Sequence, residues 1–349
     1  MDVIHWMPLD KSNRSIHGGH RTQIENTVRC LKGFGVNARV EYELSAEFGP
    51  NVIVHTYGVE IAQLSCLRKQ NVRIVTSPIY WPIYINDSYA TRAHRIFMRS
   101  KQYMSLLRRV LFTSREPELT TFRIGIKYAR LAVQYSMVDL LLPNSHLEEI
   151  KISHDLGMNF RSMVVPLGVD QSVFFNNNVN RSDDLVLCIG RIEPHKNQLS
   201  LAKAFKRLPY RLILAGALHP DHPDYCKRVL AQCKGNVSYA GSGDSSFLRE
   251  LYNRARVHVL PSWSETVGLT SLEASFCGSK VVHTQNSFGK EYFGKSVRYC
   301  DPSSLSSIRS SISSTMNCPT SLSLQQESTA GYTWENSVRM LIEAYSAIC

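Results

Sequence analysis

The chain has 349 residues, 43% apolar and 20% charged, ordinary globular proportions that exclude wholesale disorder or a fibrous repeat and predict two domains. Lys and Arg number 40 against 29 Asp and Glu, a formal charge of +11, which favours polyanionic partners such as nucleic acid, anionic lipid or diphosphate compounds without choosing among them. The 9 cysteines are odd in number and form no C-x-x-C pair, which argues against zinc or a disulfide framework and for a reducing cytosol.

At the amino terminus no basic n-region leads into a long apolar h-region, and no apolar run along the chain could span a bilayer. Neither a signal peptide nor a spanning helix is expected. β-Branched runs then alternate with longer amphipathic ones: Val3 to Trp6, Thr22 to Lys32, Val36 to Val40, Val52 to His55, Ile61 to Arg68 and Val72 to Thr76. That rhythm predicts βαβ units on a parallel sheet. Gly18 and Gly19 lie between the first strand and the first helix. They would let backbone approach a phosphate or sugar, and a tight turn explains them equally well. A long basic helical region, 87–136, leads to a strand at Asp139 to Leu142, and Ser145 to Glu148 reads as a capping box opening a helix.

The Pro-, Gly- and Asn-bearing segment 164–184 precedes a buried strand, Leu185 to Ile189, and marks a boundary between domains of 1–168 and 169–332. Beyond it the alternation repeats. Helices are expected at Asn197 to Arg207, His222 to Cys233 and Ser245 to Ala255, with strands at Arg211 to Ala215, Val237 to Ala240 and Val257 to Leu260. The Ser-rich 303–323 carries Leu305, Ile308 and Ile312 at helical spacing, which predicts a weak surface helix. Trp334 to Ile348 carries Val338, Leu341, Ile342 and Tyr345 on one face, so this last segment should dock. The fold class is α/β, two Rossmann-like domains with parallel sheets.

Three stretches carry chemistry. Pro261 to Ala274 reads P-S-W-S-E-T-V-G-L-T-S-L-E-A: a strand ends, a turn carries Glu265 and Gly268, and a helix opens around Glu273. Carboxylates at the carboxyl end of a parallel strand suit hydroxyl-rich ligands, since each accepts from vicinal hydroxyls; Glu273 as a helix residue near the dipole and Glu265 as a solvated charge is the plainer alternative. Leu185 to Asn197 ends a strand in Gly190, Arg191 and then Lys196 at a helix start, where backbone N–H groups and two cations would cradle a diphosphate. The third is the Gly18–Gly19 loop.

Together these stretches resemble the retaining glycosyltransferases of the GT-B fold, glycosyltransferase family 4, of the bacterial surface-polysaccharide type. The likeness rests on the Gly-Gly loop, V-P-L-G-V-D at 165–170, G-R-I-E-P-H-K-N, the E-x7-E pair Glu265 and Glu273, and the closing Y-T-W-E-N-S. It implies two sheets facing a central cleft, and a carboxy-terminal helix (333–349) that crosses back to the first domain. By the same resemblance Arg191 and Lys196 would hold the donor diphosphate, Glu265 would contact sugar hydroxyls and Glu273 the ribose, with backbone at Gly190, Gly268 and Leu269 assisting. It implies neither metal nor cofactor, and the chain has no D-x-D triplet for Mg²⁺ or Mn²⁺. One departure stands out. Where many relatives carry a His after a first-domain strand, this chain reads T-S-P, with Ser77 and Pro78.

Several signals compete. Gly289 to Ser296 spells the Walker A pattern, but Glu291, Tyr292 and Phe293 fill the loop and a strand follows, which argues against a phosphate wrap. Arg92 to Arg130 is basic and amphipathic and predicts contact with an anionic membrane surface; a core-facing stripe with a solvated basic face explains it too. Tyr80, Trp81, Tyr84 and Tyr89 cluster upstream, and the first three are candidates for the acceptor site, ordinary packing being the alternative. His219, His222 and Asp224 read as a loop and helix start rather than a metal site. The expected partners are a nucleotide-sugar donor and a glycan or lipid-linked glycan acceptor. A GT-B-like epimerase or phosphorylase would share the diphosphate cradle, and a basic nucleic-acid-binding protein lacks any recognisable motif here.

Overall fold

The computed structural model describes residues 1–6, 19–43, 48–49, 51–57, 61–78, 80, 117–318 and 330–349. Gly18, Trp81, Tyr84, Tyr89, most of the basic 92–130 region and the end of the Ser-rich stretch lie outside these residues. Two compact units are present: Met1–Val165 together with Val338–Cys349, and Pro166–Ser337.

In the first unit, β1 (Asp2–Trp6), β2 (Asn37–Glu41), β3 (Val52–Thr56), β4 (Arg73–Thr76) and β5 (Leu140–Leu141) form a sheet in the order β2-β1-β3-β4-β5. Every pairing is parallel. Helices α1 (Gly19–Gly33), α2 (Ile61–Lys69), α3 (Pro117–Ser136) and α4 (His146–Leu156) connect or follow the strands. A period of two along each strand sends alternate residues to opposite faces. Val3, Ile53 and Val75 pack with α1, while Ile4, Val54 and Ile74 pack with α2. The last helix, α11 (Trp334–Ser346), supplies Val338, Leu341, Ala344 and Tyr345 to the first of these cores, so the closing segment docks as its apolar stripe requires.

The second unit has β6 (Ser182–Ile189), β7 (Arg211–Ala215), β8 (Val237–Tyr239), β9 (Ala255–Leu260), β10 (Lys280–Thr284) and β11 (Arg298–Cys300), in the order β11-β10-β9-β6-β7-β8, again all parallel. Its helices are α5 (Gln198–Phe205), α6 (Pro223–Leu230), α7 (Ser245–Arg254), α8 (Leu269–Phe276), α9 (Lys290–Phe293) and α10 (Leu305–Met316). Strands buried on both faces read as continuous apolar runs, and Leu185 to Ile189 is one. The strand order reverses between β6 and β9, and open α/β sheets bind ligands beyond the carboxyl ends of strands at such a switch point.

Two expectations need correction. α10 is a firmer element than the weak surface helix expected: Ser306, Ser310 and Ser314 are exposed, but Ile308, Ile312 and Met316 are buried in the core beside β9 and β10, and Leu305 is exposed rather than part of the stripe. The capping box is half present, because Ser145 Oγ accepts from the Glu148 N–H at 3.1 Å but the Glu148 carboxylate turns elsewhere. It accepts the N–H groups of Asn144 and Tyr80, each at 2.6 Å. Burial raises this carboxyl to about 7 against the two backbone bonds that favour its ion. The Walker-like segment forms the short α9, with Tyr292 and Phe293 buried. No described helix is long and apolar enough to cross a membrane.

Candidate functional site

The two strongest sequence stretches meet at the switch point of the second sheet. The turn after β6 and the turn after β9 are neighbours because β6 and β9 are paired. The Trp263 N–H donates to the His195 carbonyl at 3.0 Å, and Lys196 Nζ donates to Glu265 Oε1 at 2.6 Å. The Lys196 side chain is 19% exposed and that of Glu265 5%, so the pair is largely shielded from water.

Backbone contacts fix the first turn. The Gly190 N–H donates to the Ala215 carbonyl at 3.0 Å. A Cβ on Gly216 (φ +135°) would lie 2.2 Å from the Gly190 carbonyl oxygen, so only glycine lets the end of β7 lie against Gly190 and Arg191. Pro194–Lys196 form one 3-10 turn that ends on Asn197 in the left-handed region, φ 59°. The Asn197 amide bonds the carbonyls of Pro261 at 3.1 Å and Pro302 at 2.9 Å, which ties this turn to the ends of β9 and β11.

Arg191 lies 3.5 Å from the Glu193 carboxylate. Gln198 Nε2 donates to the Arg191 carbonyl at 2.7 Å. His219 Nε2 stands 3.6 Å from the same Glu193 carboxylate. His195 is held neutral, lowered to about 2 by burial and then by the Lys196 charge. His219 lies beside the Arg191–Glu193 pair with its pKa lowered, chiefly by burial, and His222 is the N-cap residue of α6. Among the described residues no group of three or more His, Cys, Asp or Glu is gathered for a metal.

In the second turn, Gly268 takes φ +81° and caps α8 without any side-chain bond. The first N–H groups of α8, from Leu269 onward, thus receive no side-chain cap, and such helix starts can take a ligand's acceptor atoms. The Glu265 N–H donates to the Asn286 carbonyl at 3.0 Å, and the Glu265 carbonyl accepts from Phe288 at 3.2 Å. Glu273, one helical turn into α8, takes the Tyr252 hydroxyl at 2.9 Å. Burial raises its carboxyl to about 7, and the tyrosine bond opposes that rise.

Arg191, Lys196, Glu265, Gly190, Gly268, Leu269 and Glu273 thus all lie in the second unit at these strand ends. Gly19 opens α1 in the first unit. Tyr80 is 2% exposed, with its hydroxyl donating to Asp155 at 2.6 Å, a packing role. Sequence reasoning passed over Glu193, Asn197, Gln198 and Gly216. A glycine directly after a buried strand, as in Ala215-Gly216, is the signal that could have found the last of them.

Comparisons with known proteins bear on the fold and the family. Residues 169–330 match the family described as glycosyl transferases group 1. The O-antigen chain mannosyltransferase B of Escherichia coli is 31% identical over 175 residues, 46% of this chain and 45% of that protein. The matches to the first curated relatives thus span less than half of those relatives' own length. Among solved structures, sucrose-phosphate synthase from Thermosynechococcus elongatus aligns with a TM-score of 0.74 at 16% identity, covering 99% of each chain. Anabaena HepE in complex with UDP and glucose aligns with a TM-score of 0.63 at 12% identity, covering 100% of this chain and 98% of that one. The two parallel-sheet units thus share the fold of these GT-B glycosyltransferase structures, and residues 169–330 resemble the glycosyl transferases group 1 family.

Proposed function

We propose that the chain is a retaining, metal-independent glycosyltransferase that moves a hexose from a UDP- or GDP-sugar to a glycan or lipid-linked glycan acceptor of a surface polysaccharide. The observation that carries the reading is the meeting of Arg191, Lys196, Glu265 and the uncapped start of α8 at one switch point. Arg191 and Lys196 take the diphosphate, Glu265 accepts from sugar hydroxyls, and Glu273 accepts from the ribose. Gly190, Gly268 and Leu269 approach the donor by backbone.

As the nucleotide leaves, negative charge grows on its β-phosphate, and fixed cations there stabilise the transition state more than the ground state. The departing phosphate accepts the acceptor's proton on the same face, so retention needs no enzyme base. The O-antigen name of the E. coli relative supports mannose and a polysaccharide product, and the HepE complex supports a UDP site. The acceptor is assigned to the Tyr80–Tyr84 segment through Trp81 and Tyr84. The basic 92–130 region, of which Lys127 and Arg130 are exposed on α3, is assigned to an anionic membrane surface. Sedimentation with phosphatidylglycerol vesicles, abolished by salt, tests that assignment.

The donor reading is tested by thermal shift with UDP, GDP and their hexose conjugates. A ligand at about 100 times its Kd should stabilise the fold by about 2.7 kcal/mol. No shift with any of them, and no consumption of a nucleotide sugar, would end the proposal. Product NMR then decides retention through the anomeric coupling.

A further inference from the structure

A buried polar chain runs beneath these turns. The N–H of Ile189, the last residue of β6, lies 3.4 Å from His258 Nε2 on β9. Ser271 Oγ, in the first turn of α8, lies 3.4 Å from His258 Nδ1 and 3.0 Å from His283 Nδ1 on β10. His283 Nε2 lies 3.0 Å from Ser287 Oγ, which also accepts the Gly289 N–H at 2.8 Å. His258, Ser271 and His283 are wholly buried, and burial lowers both rings to about 3.

A neutral imidazole has one donor and one acceptor nitrogen. Ile189 can only donate, so His258 Nε2 accepts and its Nδ1–H goes to Ser271. Ser271 then gives its proton to His283 Nδ1, and His283 Nε2–H goes to Ser287. One backbone donor orders every proton in the chain.

Each link belongs to a segment of the candidate site. Ile189 precedes Gly190 and Arg191; Ser271 follows Gly268 and Leu269; Ser287 is bridged through its backbone to Glu265. Gly268 rests on His283, since a Cβ there would lie 2.5 Å from His283 Cε1. We propose that His283, with Ser271 and Ser287, is a positioning residue that sets Glu265 and the Gly268–Leu269 N–H groups against the transferred sugar. This rests on the donor site described under the proposed function. Because the diphosphate is held by Arg191 and Lys196 on the other turn, loss of His283 should slow turnover more than it weakens nucleotide binding.

The test compares His283→Asn, which keeps a polar group near the Nδ1 position only, with His283→Gln, whose amide reaches the Nε2 position and still donates to Ser287. Misplacement of the sugar by a fraction of an ångström should lower kcat about 10- to 100-fold in H283N, while the calorimetric Kd for UDP or GDP stays within about twofold. H283Q should recover much of kcat, and S287A should add little to H283N. Independently of turnover, ¹⁵N-histidine NMR should find His258 protonated on Nδ1 and His283 on Nε2, both neutral between about pH 5 and 8. An H283N enzyme with native kcat, equal losses in kcat and Kd, or the same tautomer on both rings overturns the proposal while leaving the donor reading in place. A wild-type protein that consumes no nucleotide sugar removes the donor reading, and this proposal with it.

Discussion

Lys196 and Glu265 are each other's partner before any donor binds. Removing one member of a largely buried pair strands the other, at a cost of about 3–5 kcal/mol. Lys196→Ala should therefore lower Tm by several degrees as well as activity. Glu265→Gln keeps an acceptor for the ammonium, so it should melt near the native temperature while kcat/KM falls about 100-fold. Native turnover in E265Q would remove Glu265 from the site. Glu273 offers a titration. Burial raises its carboxyl to about 7, and under the proposed ribose contact the hydroxyls would bond the ionised form better, so the bound group would titrate lower. The sign follows: affinity is level above about pH 7 and falls as pH drops below it, and binding between pH 6 and 7 releases protons. Calorimetry in buffers of different ionisation enthalpy measures that release, which Glu273→Gln should abolish.

Strand ends and turns carry the next level of control. Gly216→Ala would press a methyl group to 2.2 Å from the Gly190 carbonyl oxygen at a φ of +135°, and backbone on both sides leaves nothing flexible to yield. About 3 kcal/mol of stability should be lost, together with nucleotide affinity, because Arg191 moves with Gly190. Urea denaturation and nucleotide titration measure the two effects separately. The alternating runs disclosed strands β1 to β4 and β7 to β9 within a residue or two, and β6 except for its three polar opening residues, since a parallel strand buried on both faces cannot hide its apolar sequence. α10 was harder to read. Ile308, Ile312 and Met316 form a proper stripe, but the serines around them lowered its apparent apolarity. Glu148 was half legible: its spacing from Ser145 is that of a capping box, and its carboxylate instead holds the Tyr80 and Asn144 backbone.

Each unit has its own core, yet the first borrows the end of the chain. Val338, Leu341, Ala344, Tyr345 and Ile348 are buried in it, and Tyr345 donates or accepts at His55 Nδ1 over 2.7 Å. Burying a large apolar side chain is worth about 1.5–3 kcal/mol, so deleting 338–349 removes much of the roughly 5–15 kcal/mol that a domain has. The truncated chain should lose protection in the first unit by hydrogen exchange. Nucleotide binding by the second unit, whose core lies within 166–337, should persist. Loss of both together would show that the second unit cannot hold its site alone. Periodicity, strand-end glycines and the spacing of Glu265 and Glu273 are local properties, which is why the α/β class and both halves of the candidate site could be read from the residues in order. That Lys196 pairs with Glu265, that Gly216 must be glycine, and that two buried histidines are strung beneath α8 depend on which strands lie side by side. The order β10-β9-β6-β7 decided these, because a crossover connection lets residues far apart in sequence become hydrogen-bonding neighbours.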